Sequence, residues 1–493
     1  MKYFLSLFVL FSYVSASWAQ DESPEPSPNI VFIFADDLGY GDIGLYGAED
    51  VKTPHIDKIG TQGVQFNEFY SASPVCTPSR AALLTGRYPI RMGIHHVFFP
   101  NSYAGMPEEE VTIAEVLKEK GYKTAIVGKW HLGHHEKYLP LNQGFDEFFG
   151  IPYSNDMPPL PLMLGNDYIE SKIDQDKLTQ RLTDYAVNFI DTNADQPFFL
   201  YVPHPMPHYP LHRSNNFKGV SERGLYGDVI EELDHSVGQI RHALEKNGLS
   251  ENTLFVFTSD NGPWILMGDD GGSSGHLRNG KGTTFEGGIK VPTVALFPKG
   301  MAEKQKVDTP VSMLDWFPTL IEMSGSDLPE GKTIDGQSLL PTLDGRQASD
   351  VRRPLYFYSH GKLEAIRMGQ WKYKRAFRHE NNPVPPFVRP FLGGEVGLKE
   401  HGALLFNLSK DPSERNNIIT AHSDIAKDLE TRLISLENSL GETPVNITPL
   451  VAEANPVIVK VMSTIAKLGL LTLALFVGII AFIFYRLGRR KVK

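Results

Sequence analysis

One cysteine, Cys76, occurs in 493 residues, inside the run Cys76-Thr77-Pro78-Ser79-Arg80. A single thiol builds no disulfide within its own chain, so its presence needs another reason. Most lone cysteines are small buried hydrophobes. Here Pro74, Thr77, Pro78, Ser79 and Arg80 are poor company for a core residue. The run Ala81-Ala82-Leu83-Leu84-Thr85-Gly86 that follows reads as a short helix closed by glycine. Cys76 is therefore expected near a helix N-terminus beside an arginine, where dipole and cation both favour negative charge.

Two further collections of side chains have chemical character. Asp36 and Asp37 follow the apolar run Ile30 to Phe34, and Asp260 and Asn261 follow Leu254 to Thr258. Three carboxylates and one amide form an all-oxygen set suited to a hard cation, Ca2+ or Mg2+. Such a cation would hold and polarise an anionic oxygen. Adjacent aspartates are common in solvated loops, but this pair stands directly behind a buried strand, with Gly39 and Gly41 permitting a tight turn. The second collection is cationic or imidazole: Lys129 and His131 in Gly128 to Gly133, His208 in Pro207 to Pro210, and Lys281 in Gly280 to Thr284. A lone lysine or histidine in a loop is usually solvated. Each of these falls just past a strand or in a glycine-rich loop, so all can face one pocket. Arg80, Lys129 and Lys281 would then meet a tetrahedral oxyanion, and His131 and His208 would carry protons. The combination points to sulfuryl or phosphoryl transfer.

Positioning these groups requires a sheet whose strands end together. Ile30 to Phe34 is continuously apolar, as in a strand buried on both faces. Thr112 to Lys120 has helical spacing, Tyr122 to Val127 and Phe198 to Val202 read as strands, and Leu254 to Thr258 as another. From Tyr226, the residues Ile230, Leu233, Val237, Ile240 and Leu244 recur at three and four, giving a long amphipathic helix that ends at Gly248. This alternation predicts an α/β domain around a mostly parallel sheet, whose ligands gather at the carboxyl ends of the strands. Beyond about residue 335 the pattern changes. Tyr356 to Tyr358, Ala365 to Arg367 and Trp371 to Lys374 read as antiparallel strands, and Asp424 to Leu440 as a closing helix. Met157 to Pro161 and Pro383 to Pro390 read as surface loops.

The formal charge of −10, with 16 histidines, argues against a nucleic-acid partner. Lys2, the apolar Tyr3 to Val14 and Ser17-Trp18-Ala19 read as a secretory signal peptide over 1–19. Leu468 to Tyr485 is apolar apart from Thr472 and is followed by Arg486, Arg489, Arg490, Lys491 and Lys493. The expectation is a membrane anchor over 465–486 with a basic cytoplasmic tail, 487–493, reached through a linker, 446–464. The chain between would hold a catalytic domain, 28–335, and a smaller α+β subdomain, 336–445, outside the cytoplasm, which in a bacterium would mean the periplasm or the cell surface.

Several blocks resemble one family. Cys76 to Arg80 matches the C-x-P-S-R signature of the type I sulfatases, and Ala81 to Arg87 its continuation. Asn29 to Gly47, Gly128 to Gly133, Gly280 to Gly288 and Leu405 to Asn417 resemble the same family in the same order, so that the likeness spans roughly 28–440. The resemblance implies an alkaline-phosphatase-like large domain. It also implies that Cys76 is oxidised to formylglycine by a formylglycine-generating enzyme during maturation. The hydrated aldehyde would attack sulfur, leaving a sulfate ester on residue 76 that its second hydroxyl expels, which splits one hard step into two. By the same resemblance Asp36, Asp37, Asp260 and Asn261 are calcium ligands. Arg80 and Lys129 hold the formylglycine hydroxyls, His131 is the base, and His208 and Lys281 bind sulfate and assist the leaving oxygen. Ser154 matches a serine that contacts sulfate. His204 stands four residues before His208, which alone carries the His-Tyr-Pro context. The implied substrate is a sulfated carbohydrate or an aryl sulfate. A phosphate or phosphonate ester hydrolase, and a non-catalytic binder of sulfated glycans, are the alternatives.

Overall fold

The computed structural model describes residues 27–302, 304–343, 353–380 and 398–440. Its centre is a ten-stranded sheet in the spatial order 305–307, 64–66, 293–296, 253–259, 29–35, 198–203, 123–129, 147–151, 162–164, 167–170. The central strands Asn29–Ala35, Lys123–Lys129, Phe198–Pro203 and Thr253–Ser259 run parallel. Thr293–Leu296 and the pair Leu162–Leu164 and Asp167–Glu170 join antiparallel.

The first strand shows why both faces must be covered. Ile30, Phe32 and Phe34 enter one apolar cluster, while Val31, Ile33 and Ala35 enter another on the opposite face. Period-two alternation with no polar position on either side forces a three-layer arrangement. The helices Cys76–Thr85, Ile113–Glu119 and Trp316–Met323 contribute Leu83, Leu84, Ile113, Leu117, Trp316 and Phe317 to the first cluster. The helices Leu178–Thr192 and Gly224–Lys246 contribute Leu182, Phe189, Ile230, Leu233 and Val237 to the second. The expected Thr112 to Lys120 helix begins with Thr112 as its cap. Thr112 Oγ1 accepts from Glu115 N at 3.1 Å and Glu115 Oε2 accepts from Thr112 N at 2.7 Å.

The expected C-terminal antiparallel sheet is present, with order 354–359, 362–368, 371–374, 404–407. The helix Ser423–Leu440 covers it through Ala426, Leu429 and Leu433. A two-stranded ribbon, Phe377–Glu380 with Leu398–His401, was not expected. The Met157 to Pro161 segment is less superficial than its prolines suggest, because Met157 and Leu160 are buried in the second cluster. The signal peptide, the Pro383 to Pro390 loop, the linker, the membrane segment and the basic tail lie outside the described residues. The expected membrane anchor, and the anchored location it implied, are corrected on one finding: among the described residues no helix is long and apolar enough to cross a membrane.

The parallel register makes the sheet a positioning device. Ala35 pairs with Ser259 and Phe34 with Pro203. The parallel strands therefore run out at one edge, where Asp36, Asp260 and His204 leave the sheet beside Lys129. Trp316 anchors the layer beneath, with Phe32, Phe66, Phe69 and Phe297 at ring-centroid distances of 5.6, 6.0, 6.5 and 6.3 Å. Replacing this fully buried ring, Trp316→Ala, is expected to cost about 3–5 kcal/mol, read as a fall in the urea midpoint of the protein's unfolding.

Candidate active site

The helix that carries Cys76 spans Cys76–Thr85 and begins at the cysteine itself. Extended Val75 is its N-cap and left-handed Gly86, at φ 67°, its C-cap. Every residue in it is buried, so its polar residues must find protein partners. Thr77 Oγ1 donates to His131 O at 2.9 Å and accepts from Phe98 N at 3.2 Å. Ser79 Oγ donates to Asp260 O at 2.5 Å, which also accepts from Ser71 Oγ at 2.6 Å. Arg80, fully buried, donates through one terminal nitrogen to Lys129 O at 3.0 Å and through the other to Asp260 Oδ2 at 2.8 Å. That second nitrogen lies 3.5 Å from Asp36 Oδ2. One turn of helix thus ties together the ends of the three strands that end at Ala35, Lys129 and Ser259. Thr77, Ser79 and Ser71 were not singled out from the sequence. The available signal for Thr77 and Ser79 was a polar residue at two signature positions ahead of the apolar Ala81 to Leu84.

Ten of the eleven expected site residues are buried and the Lys281 side chain is 11% exposed; side-chain contacts join ten of the eleven, and His131 is tied in through backbone. Cys76 Sγ donates to Asp36 Oδ1 at 3.3 Å. Lys129 Nζ pairs with Asp36 Oδ2 and donates to Ser154 Oγ at 3.0 Å, so Ser154 belongs to the cluster. Asp37 Oδ1 accepts from Asn261 Nδ2 at 2.7 Å, and its Oδ2 from Lys281 Nζ at 2.7 Å. His208 Nε2 stands 3.6 Å from the same Asp37 oxygen. Asp37 N donates to Asp260 Oδ1 at 3.1 Å. His204 is not part of this set: its Nε2 faces Ser236 Oγ at 3.2 Å, on the helix packed beneath the sheet.

Two backbone positions are held in the left-handed region, Asp37 and His131, each at φ 62°. That region is uncommon outside glycine, although aspartate and histidine enter it more readily than most residues. His131 is held by its own carbonyl through Thr77 and by its ring. Its Nε2 lies 2.9 Å from Phe98 O, an acceptor only, so Nε2 carries the proton. Its Nδ1 is buried with no hydrogen-bond partner among the described residues. His208 is arranged the other way round: Nδ1 meets Tyr209 O at 2.5 Å, which leaves Nε2 as the lone pair beside Asp37. Burial, with Lys129 and Arg80 adding to it, holds the His131 imidazole well below its ordinary range. Burial and Lys281 do the same for His208. Both rings are neutral, with Nε2 of His208 beside Asp37 and Nδ1 of His131 left without a proton.

The carboxylates differ from one another. Burial would raise Asp36, yet Lys129, with Arg80 and Lys281, holds it well below the usual carboxylate range. Asp37 is pushed up to about 7 by burial, with Asp36 and Asp260 adding to it against Lys281. Asp260 is raised by burial and by Asp36. Asp37 and Asp260 are therefore held less firmly ionised than Asp36. Ligand atoms of Asp36, Asp37, Cys76 and His208 lie within 4.8 Å of one another. Asn261 Oδ1, fully buried, has no hydrogen-bond partner among the described residues. An unsatisfied amide oxygen beside crowded carboxylate oxygens is the donor set a hard cation requires, so the residues fit one.

The expectation for Cys76 needs correction. The helix start and Arg80 are where they were expected, but burial, followed by Asp260 and Asp36, drives the thiol well above its usual range against Lys129 and Lys281. Desolvation and two carboxylates outweigh the helix dipole.

Comparison with known proteins follows from this geometry. Residues 28–326 match the family model described as sulfatase, and residues 350–464 match the C-terminal region of aryl-sulfatase. The chain belongs to the sulfatase family. It is a sulfuric ester hydrolase. It is 39% identical over 448 residues to N-acetylgalactosamine-6-sulfatase of Mus musculus, covering 83% of this chain and 85% of that one. It is 40% identical over 430 residues to arylsulfatase A of Homo sapiens, covering 80% and 83%. A solved structure, described under the metabolism of multiple glycosaminoglycans by Bacteroides thetaiotaomicron, superposes with a TM-score of 0.75 at 30% identity. It covers 84% of this sulfatase and 100% of that chain.

A thiol held protonated at neutral pH gives a direct test. Protein carrying Cys76 as the free thiol should resist iodoacetamide at pH 8 while folded and react when unfolded in guanidinium. Labelling at comparable rates in both states would contradict the buried, neutral thiol.

Proposed function

We propose that this sulfatase hydrolyses sulfate esters of a sulfated carbohydrate, and aryl sulfates as well, with formylglycine at position 76 and a Ca2+ held by Asp36, Asp37, Asp260 and Asn261. The observation that carries the reading is the pair of neutral imidazoles, each locked as a donor to a backbone carbonyl on one nitrogen and free as a base on the other. A protonated thiol offers no thiolate, whereas a formylglycine aldehyde supplies a hydrated carbon whose hydroxyl is a competent nucleophile. The cation would polarise a sulfate oxygen.

The remaining steps fall to side chains. Arg80 and Lys129 flank residue 76 from the Asp36 side and hold its oxygens. His131 Nδ1 accepts the proton whose loss releases sulfate from residue 76. His208 Nε2 and Lys281, both against Asp37, face the sulfate and the leaving oxygen. Ser154 orients the Lys129 ammonium through their 3.0 Å hydrogen bond. Water exclusion strengthens each of these contacts. The sulfated-carbohydrate assignment is supported by the names of the relatives, one an N-acetylgalactosamine-6-sulfatase and one from glycosaminoglycan metabolism. Maturation would require a formylglycine-generating enzyme as a transient partner.

The Cys76→Ala protein should keep its fold and lose at least about a thousand-fold in kcat on 4-nitrophenyl sulfate. The tryptic peptide carrying residue 76 from active enzyme should show the mass of the aldehyde in place of the thiol. Turnover surviving in Cys76→Ala, or an aryl phosphate hydrolysed faster than the aryl sulfate, would sink the proposal. Chelation should lower the melting temperature, and Ca2+ at about a hundred times its Kd should restore about 2.7 kcal/mol. Asn261→Ala should weaken that calcium dependence.

A further inference from the structure

Two blocks that resemble the family's contain a buried carboxylate without a chemical role: Glu286 in Gly280 to Gly288, and Glu414 in Leu405 to Asn417. The structure brings them together across the seam between the large sheet and the C-terminal sheet. Between them lies Lys372, on the strand Trp371–Lys374. Its Nζ is 2.8 Å from Glu286 Oε1 and 2.9 Å from Glu414 Oε1, the latter an ion pair too bent to count as a hydrogen bond. Exposure is 0% for Lys372, 2% for Glu286 and 0% for Glu414. Glu414 reaches the loop twice more: its Oε2 accepts from Glu286 N at 2.6 Å, and its carbonyl from Arg278 NH1 at 2.7 Å. Two residues along the same strand, and so on the same face, Lys374 pairs with Thr284 Oγ1 and lies 2.9 Å from Glu364 Oε2. Lys372 and Lys374 thus meet Glu286 and Thr284 at matched spacing.

The loop they hold is the one that delivers Lys281. From Arg278 to Gly288 its only apolar side chain is Phe285, and four of its residues are glycine, so burial alone anchors it weakly. Tyr70 Oη also donates to Glu286 Oε2 at 2.6 Å, Arg367 lies 3.9 Å from that oxygen, and Thr284 Oγ1 pairs with Glu364. Three backbone ties run to the active site. Gly282 N donates to Pro74 O at 2.9 Å, two residues before Cys76, and Lys281 N donates to Pro263 O at 2.9 Å, two residues after Asn261. Gly262 N donates to Gly288 O at 3.0 Å. Movement at Glu286 is therefore transmitted to Lys281, and through Gly262 to the Asn261 strand end.

We propose that Lys372 is a positioning residue for sulfate ester hydrolysis: by tying Glu286 to Glu414 it fixes the Arg278–Gly288 loop and with it the Lys281 ammonium against Asp37. The C-terminal sheet is on this account part of the catalytic apparatus. The inference rests on the reading above in which Lys281 meets the sulfate.

The test is a double-mutant cycle on the full-length matured enzyme, with 4-nitrophenyl sulfate as substrate and thermal melting as the check on folding. Lys372→Met, alone, is expected to lower kcat/KM by between about ten- and a hundred-fold, the size of effect that misplacement remote from the chemistry produces. In a Lys281→Ala background the same change should cost less than about two-fold, because the group it positions is gone. Glu414→Gln, which keeps the shape of the side chain, enters the same cycle and decides the matter if Lys372→Met does not fold. Equal losses in both backgrounds, or no loss in a folded variant, would overturn the proposal. Parent-like kcat/KM in Lys281→Ala alone would instead overturn the role of Lys281, and the positioning role with it.

Discussion

Asp36, Asp37 and Asp260 crowd three buried carboxylates together, and the rest of the architecture answers to that repulsion. At such separations in a low-dielectric interior, like charges cannot all remain ionised without compensation. Arg80 bridges Asp260 and Asp36, Lys129 pairs with Asp36, and Lys281 pairs with Asp37. The compensation is uneven. Asp36 is held firmly ionised, while Asp37 is left near about 7, with burial and two neighbouring carboxylates pushing against one lysine. A cation placed against Asp37 would offset that burial and repulsion.

Each compensating group comes from a different part of the chain, so the charge balance also decides the packing. Arg80 can span Asp36 and Asp260 because two parallel strands end in register and a helix lies across their ends. Lys129 arrives at the last position of its own strand. Lys281 arrives on a glycine-rich loop with little apolar anchorage, and this is the position at which ionic ties from the C-terminal sheet are concentrated. Removing one member of a buried ionic set leaves the others uncompensated. The signature helix, the strand ends and the C-terminal brace therefore behave as one electrostatic unit.

Much of the framework was legible from local pattern. The continuously apolar Ile30 to Phe34, the three-and-four spacing from Tyr226 and the glycine closing Cys76–Thr85 each report a constraint that acts over a few residues. Short or edge elements such as Val64–Phe66, Leu162–Leu164 and the Phe377–Glu380 ribbon were not legible, since their pairing depends on remote strands. The site residues were legible because strand ends and glycine-rich loops recur at ligand sites. Their electrostatic states were not. Cys76 shows why: its position at a helix start favours a thiolate, but the two carboxylates that prevent one come from residues 40 and 184 positions away.

The amino-acid sequence alone determined the alternating layers, the C-terminal sheet and the identity of the groups at the carboxyl edge, because hydrophobic period and residue type are local properties. Tertiary structure decided the rest. It separated His204 from His208 by turning one toward Ser236 and the other toward Asp37. It set the tautomers of His131 and His208 through the carbonyls of Phe98 and Tyr209. It joined Glu286, Lys372 and Glu414 from three distant segments. Charge, desolvation and hydrogen bonding act through space, and only the folded chain specifies which charges are neighbours.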